Sequence, residues 1–205
     1  MTVRQVIELA RSSELNGLPA VSGNVDVILG FLNLGMLELH KRFAIKQEEC
    51  VLDLVDGVDV YTLPEDCMWL VKAYGEVDIR STDIVNILPI NKEDDPLSIN
   101  TFGFGKVQVP VSVQGAHVSL IYVASPKVYD NTMLDNVLEI PVQFVDPLLA
   151  YIGYKGNSTI DSGVNSEDSV YFARYEASCN KIEDRTMFTS DDMFMDDRLN
   201  ARGFV

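Results

Sequence analysis

Apolar positions repeat with a helical period at both ends of the chain and with a strand period in between. Thr2 and Gln5 stand at capping-box spacing and predict a short helix to about Leu15, stopped by Asn16-Gly17-Leu18-Pro19. Asn24 is placed to cap a second helix, in which Val25, Ile28, Leu29, Leu32, Met36, Leu39 and Phe43 follow 3–4 spacing to about Lys46. Gly30 and Gly35 lower helix propensity there and point to close packing against a neighbour.

From Cys50 the period becomes that of a strand. Val51–Val55 and Val58–Tyr61 flank Asp56-Gly57, which predicts a hairpin. Further short strands are expected at Met68–Tyr74, Ile84–Ile90, Ser98–Phe102, Lys106–Val109 and Val118–Val123, punctuated by Gly75, Gly103, Gly105, Pro110 and Gly115. Short strands at this spacing imply a small antiparallel sandwich or barrel.

Helical period returns after Glu139, with Val145, Leu148, Leu149 and Ile152 on one face. Pro147 requires either a start at Asp146 as cap with Pro147 first, or a kink in a helix begun at Pro141; the kink is preferred. Ser166 or Asn165 caps a last helix, striped by Phe172, Tyr175, Cys179 and Ile182 and ending near Met187. Neither helix pair can close a core alone, since each has a single apolar stripe. The expected architecture is therefore α+β: a four-helix bundle made by the N- and C-terminal helix pairs (1–48 and 137–189), an inserted antiparallel β-sandwich or barrel (49–136), and an extended C-terminal arm (190–205).

The arm reads SDDMFMDDRLNARGFV. Its apolar residues Met193, Phe194, Met195, Leu199, Phe204 and Val205 sit among four aspartates and two arginines, Arg198 and Arg202, with neither helical nor strand period. A segment that cannot bury its apolar groups within itself is either disordered or docked on another molecule. Docking is the reading taken here, with Arg198 and Arg202 pairing with acidic groups of the partner.

Charge narrows the partners. The chain has 205 residues, 47% hydrophobic, and carries 31 Asp and Glu against 16 Lys and Arg, a net charge of -15. Tight nonspecific binding to nucleic acid needs phosphates neutralised by Lys and Arg, so it is disfavoured. The surplus is compatible with a protein that DNA passes without sticking, and also with plain solubility. No apolar run reaches bilayer length, and the N-terminal MTVRQVIELARSS lacks a signal peptide's apolar core.

Chemistry is sparse. Cys50, Cys67 and Cys179 form no C-x-x-C and suggest buried thiols rather than disulfides or a zinc site. His40, near a helix C-terminus, and His117, opening a strand, are the only histidines. Gly103-Phe104-Gly105-Lys106 lacks the spacing of a phosphate loop. Asp191-Asp192 and Asp196-Asp197 are carboxylate pairs without a scaffold to hold a cation. Trp69 and Tyr74 fit a carbohydrate platform, yet Trp69 between Met68, Leu70 and Val71 reads better as core. No catalytic residue, metal or cofactor is expected.

Several stretches, taken in order, carry a resemblance. They are LNLGMLELHKRF (32–43), YTLPED (61–66), INKEDDPLSI (90–99), VSLIYVASP (118–126), IPVQF (140–144) leading into LLAYIGY (148–154), and the closing ARGFV (201–205). Together they resemble the head-to-tail adaptor proteins of tailed bacteriophages, notably the tail-tubular-A type of short-tailed phages. The resemblance implies a virion structural protein, not an enzyme. It implies a ring, a dodecamer, seated beneath the portal at the head–tail junction after assembly in the host cytoplasm. It further implies a bundle in the ring wall, a β insert facing the downstream tail or nozzle protein, the arm reaching onto the portal protein, and DNA crossing the lumen. The rival reading is a β-rich module with helical flanks that binds sugar or peptide.

Overall fold

The structure, a computed structural model, describes residues 1–76, 84–103, 105–113, 116–158 and 170–184. The chain divides into two compact units. Among the described residues, one is helical and takes 1–45 together with those from 126 to 184; the other is a β unit within residues 46–125.

The helical unit begins at α1 (Val3–Ser12). Thr2 and Gln5 form the expected capping box: the Thr2 hydroxyl accepts from the Gln5 N–H, and the Gln5 side chain accepts from the Thr2 N–H at 2.9 Å. Val3, Val6, Ile7 and Ala10 form its buried face. The helix stops three residues before the expected Leu15. The Ser12 and Ser13 hydroxyls both donate to the Leu9 carbonyl, a local bond that competes with helix continuation. Leu15 itself drops into the core. After the single turn α2 (Pro19–Ser22), Asn24 caps α3 (Val25–Phe43) by accepting from the Asp26 and Val27 N–H groups. This helix ends short of Lys46 because Ala44 turns left-handed, with φ 46°.

Residues 126–144 belong to the same unit. The Asn33 side chain pairs with both backbone groups of Tyr129, at 2.8 and 2.9 Å, and the buried Tyr129 hydroxyl accepts from the Glu139 N–H. A 3-10 turn (Val142–Phe144) then runs directly into α4 (Val145–Ser158). Pro147 therefore falls in the first turn of α4, where a missing N–H removes no intrahelical bond, and no kink is required there.

Helix α5 (Val170–Glu183) buries Tyr175, Cys179 and Ile182, with Phe172 packed against the same core. This is the expected stripe; the expected caps Asn165 and Ser166 and the expected end at Met187 lie outside the described residues. Helix α4 packs against α1, α3 and α5. The Tyr151 ring meets Tyr175 edge-on at 5.3 Å, and Phe43 meets Phe144 at 4.9 Å.

In the β unit, β1 (Gln47–Asp53), β3 (Cys67–Glu76), β4 (Ile84–Leu88) and β7 (His117–Ala124) form one antiparallel sheet, in the order β1-β7-β3-β4. Strands β2 (Val60–Thr62), β5 (Asn100–Thr101) and β6 (Lys106–Gln108) form a second, in the order β2-β6-β5. Both sheets contribute inward side chains to one cluster, among them Leu52, Ala73, Leu88 and Leu120 from the first and Val107 from the second.

The expected hairpin across Asp56-Gly57 is not formed. The turn exists, with Gly57 at φ 80° and the Val58 N–H donating to the Val55 carbonyl, but the two strands join different sheets. Strand β1 pairs along its whole length with β7, from Gln47 opposite Val123 to Asp53 opposite His117, while β2 pairs with β6. The long pairing aligns Cys50 and Leu52 with Leu120 and Val118 on the core side, so the local signal becomes a corner between sheets. Trp69, expected in the core, is 38% exposed. Register shifts on either side of it, between Cys67 and Trp69 and between Leu70 and Lys72, break the simple alternation that its neighbours suggested.

The two glycines of α3 differ. A Cβ on Gly35 would lie 2.7 Å from Leu148 Cδ1 and 3.0 Å from Tyr151 Cδ1, whereas one on Gly30 would meet nothing within 4 Å. Gly30→Ala should gain about 0.8–1.0 kcal/mol from helix propensity alone. Gly35→Ala should lose about 1 kcal/mol net, because overpacking of roughly 1–3 kcal/mol outweighs the same gain. Urea unfolding of the two variants measures the difference; equal stabilisation by both would show that α3 and α4 are not in close contact at Gly35.

Candidate functional site

The arm residues singled out above, Met193, Phe194, Met195, Arg198, Leu199, Arg202, Phe204 and Val205, lie outside the described residues, as do the aspartate pairs 191–192 and 196–197. The structure does describe the helix that leads toward them in the chain. Helix α5 is held by two ionic clamps as well as by its apolar stripe.

The first clamp is Arg42, in the last turn of α3. Its Nε donates to Glu183 Oε1 at 2.7 Å, its Nη1 to both Glu176 oxygens at 3.0 and 2.9 Å, and its Nη2 to Asn180 Oδ1 at 2.7 Å. Acceptors at 176, 180 and 183 are spaced four and three residues apart, so α5 presents them on one face. The hydrogen bond to Glu183 is the main reason the Arg42 guanidinium holds its proton even more firmly than usual; burial opposes it. The second clamp is Arg174, whose Nη1 donates to both oxygens of Glu14 at 2.9 and 2.8 Å. The Glu14 side chain is only 4% exposed, so the guanidinium is what makes a buried carboxylate tolerable there.

Sequence reasoning missed both clamps. The 176/180/183 spacing was readable, but its partner lies more than 130 residues away in the chain. His40 is fully buried, and its Nδ1 donates to the Met36 carbonyl at 2.8 Å. It is thus a packed core residue in the last turn of α3. His117 pairs with Asp53 at 2.7 Å.

In the β unit, the buried Tyr122 hydroxyl lies 3.2 Å from both Glu48 Oε2 and Asp66 Oδ1. Lys46, 2.7 Å from Glu48, holds that carboxyl below its usual range. The cysteines are free thiols. Burial pushes Cys67 and Cys179 each up to about 11, so neither is a ready nucleophile at neutral pH. Among the described residues no group of three or more His, Cys, Asp or Glu could hold a metal ion, and no helix is long and apolar enough to cross a membrane. Tyr74 is 4% exposed, so it cannot share a sugar-stacking platform with Trp69.

Large apolar side chains stand in water on both units: Val128, Val137, Val142 and Val170 on the helical one, and Trp69, Ile87, Phe102 and Val111 on the other.

The family model of the SU10 adaptor proteins matches residues 1–195. The chain belongs to the SU10 adaptor protein family, and the class expected from the resemblance, a bacteriophage head-to-tail adaptor and structural protein of the virion, is the right one. A chain in a solved structure described as the neck of a native GTA particle, computed with C12 symmetry, is 12% identical. The match covers 87% of this chain and 92% of that one, at a TM-score of 0.29. No curated protein matches the chain.

Replacing Arg42 removes the α3–α5 clamp while leaving Tyr175, Cys179 and Ile182 in place. Arg42→Met should destabilise the helical unit by about 1–2 kcal/mol, the scale of a charge-assisted network at a partly buried site. It should also speed amide hydrogen exchange in α5 more than in α1. Uniform acceleration across the unit, or none, would show that the network does not anchor α5.

Proposed function

We propose that the chain is a non-enzymatic adaptor that assembles as a ring, a dodecamer, between the portal protein and the downstream tail or nozzle protein, and that DNA crosses its lumen during ejection. The observation that carries this reading is the adaptor-family match over residues 1–195. In it, the four longer helices form a bundle in the ring wall, the β unit is a sandwich turned toward the next tail component, and the arm docks on the portal through Met193, Phe194, Met195, Arg198, Leu199, Arg202, Phe204 and Val205. Assembly takes place in the host cytoplasm.

The arm's energetics favour a ring over a single contact. Burying a large apolar side chain contributes about 1.5–3 kcal/mol, while ordering the backbone costs about 1–2 kcal/mol per residue. One arm is therefore close to break-even. Many arms held on one ring act at high effective concentration, which turns marginal contacts into lasting ones. The Arg42 and Arg174 clamps on α5 support this reading, since a fixed base shortens the search each arm must make. The acidic surplus fits the channel, because carboxylates lining the lumen repel phosphate and let DNA slide.

Deleting residues 190–205 should abolish stable association with the portal in a sedimentation assay while the helical unit stays folded. Portal binding that survives the deletion would remove the docking role. The assembled ring should pass through a DNA column at physiological salt, and retention would overturn the sliding channel.

A further inference from the structure

The described residues include four arginines, at positions 4, 11, 42 and 174. Three are tied to carboxylates: Arg4 to Asp135 at 2.8 Å, Arg42 to Glu183 at 2.7 Å and Glu176 at 2.9 Å, and Arg174 to Glu14 at 2.8 Å. Arg11 is different. No carboxylate among the described residues stands within ion-pair distance of it, and its Nε–H is buried without a hydrogen-bond partner. A buried donor left without an acceptor bears its full desolvation penalty. In a chain with 31 acidic residues against 16 basic ones, a guanidinium left in this state is conspicuous.

Its surroundings suit an incoming anion. Arg11 lines an open depression of about 420 Å³ together with Asn16, Pro19, Ser22 and Gly23. Asn16 and Ser22 add neutral side-chain donors. Gly23 directly precedes Asn24, the cap of the 19-residue helix α3, so the positive end of that helix's dipole lies at the rim. One full positive charge and two neutral side-chain donors match a singly charged, planar carboxylate. They match a phosphate dianion less well, since it would keep a net charge there.

We propose that the Arg11 depression receives a carboxylate side chain from a second copy of this chain. The source follows from composition: each copy carries a large surplus of Asp and Glu, so a neighbouring copy brings unpaired carboxylates to any shared surface. The depression opens outward, and Arg11 stands in the last turn of α1, three residues before Glu14, the carboxylate that Arg174 of α5 holds. The contact rests on the ring reading above; the carboxylate preference of the depression does not.

Two measurements separate these parts. In the first, side-chain Nε–Hε resonances of the ¹⁵N-labelled full-length chain are followed while N-acetyl-aspartate methylamide is added, with sodium chloride at equal ionic strength as control. The Arg11 resonance should shift saturably, Arg4 should hardly move, and Arg11→Gln should abolish the response. An Arg11 resonance that moves no more than Arg4, including because a carboxylate of its own chain already fills the depression, would overturn the site.

In the second, ring assembly on the cognate portal protein is titrated by light scattering. Arg11→Gln, whose melting should match the parent chain, should raise the concentration for half-assembly about tenfold, with partial recovery in Arg11→Lys. Normal assembly of Arg11→Gln would remove the second copy as the source. Failure of the parent chain to form rings would remove the ring reading and that source together, leaving the titration to judge the depression alone.

Discussion

Leu148, Leu149, Ala150, Tyr151 and Ile152 are consecutive residues of α4, and every one of them is buried. At 100° per residue, five consecutive positions sweep the whole circumference of a helix. A helix buried all round has to be enclosed before it is stable, so α4 fixes the order in which the helical unit can make sense. Helices α1 and α3 are laid down before the β unit in the chain, and α4 arrives after it. The apolar faces of α1 and α3 wait through the 101 residues between Phe43 and Val145 for the element that closes them. Gly35 marks the cost of that closure: α3 accepts a residue of poor helix propensity so that Leu148 and Tyr151 can approach its backbone.

This dependence explains which features were legible from residue order. The caps at Thr2 and Asn24 and the stripe on α5 are local, with signal and structure lying within one or two turns. The strand positions were readable because β-branched runs broken by Gly and Pro are local too. Pairing was not. Asp56-Gly57 makes its turn, yet β1 finds a better partner in β7, more than sixty residues on, because that register buries Leu52 and Cys50 with Val118 and Leu120. Trp69 misled for a related reason: strand alternation predicts its face only while the register is regular, and β3 shifts register on both sides of it. The arm lies outside the described residues, so its reading stays with the proposal.

Charge is used differently in the two kinds of contact. Within the helical unit the acidic surplus is not spread evenly over the solvent face. Glu176 and Glu183 converge on Arg42, and Glu14 is buried against Arg174. Arginine–carboxylate pairs at partly buried positions are screened by salt far less than surface pairs, so they suit an element that must stay fixed. Helix α5 is such an element in the adaptor reading, because it is the last described helix before the segment proposed to leave its own chain.

In the proposed ring, an adaptor of this charge would face a conflict. It must stay soluble alone, which a large net negative charge favours, and yet bind copies of itself and other proteins, which that same charge opposes through mutual repulsion. Apolar burial can offset that repulsion, and a cation at the approaching surface removes it locally. Most described arginines are already committed to internal carboxylates. A guanidinium held in a depression with an unused donor is then the kind of group on which association between like-charged copies can turn, since one well-placed cation converts a repelled carboxylate into a register mark.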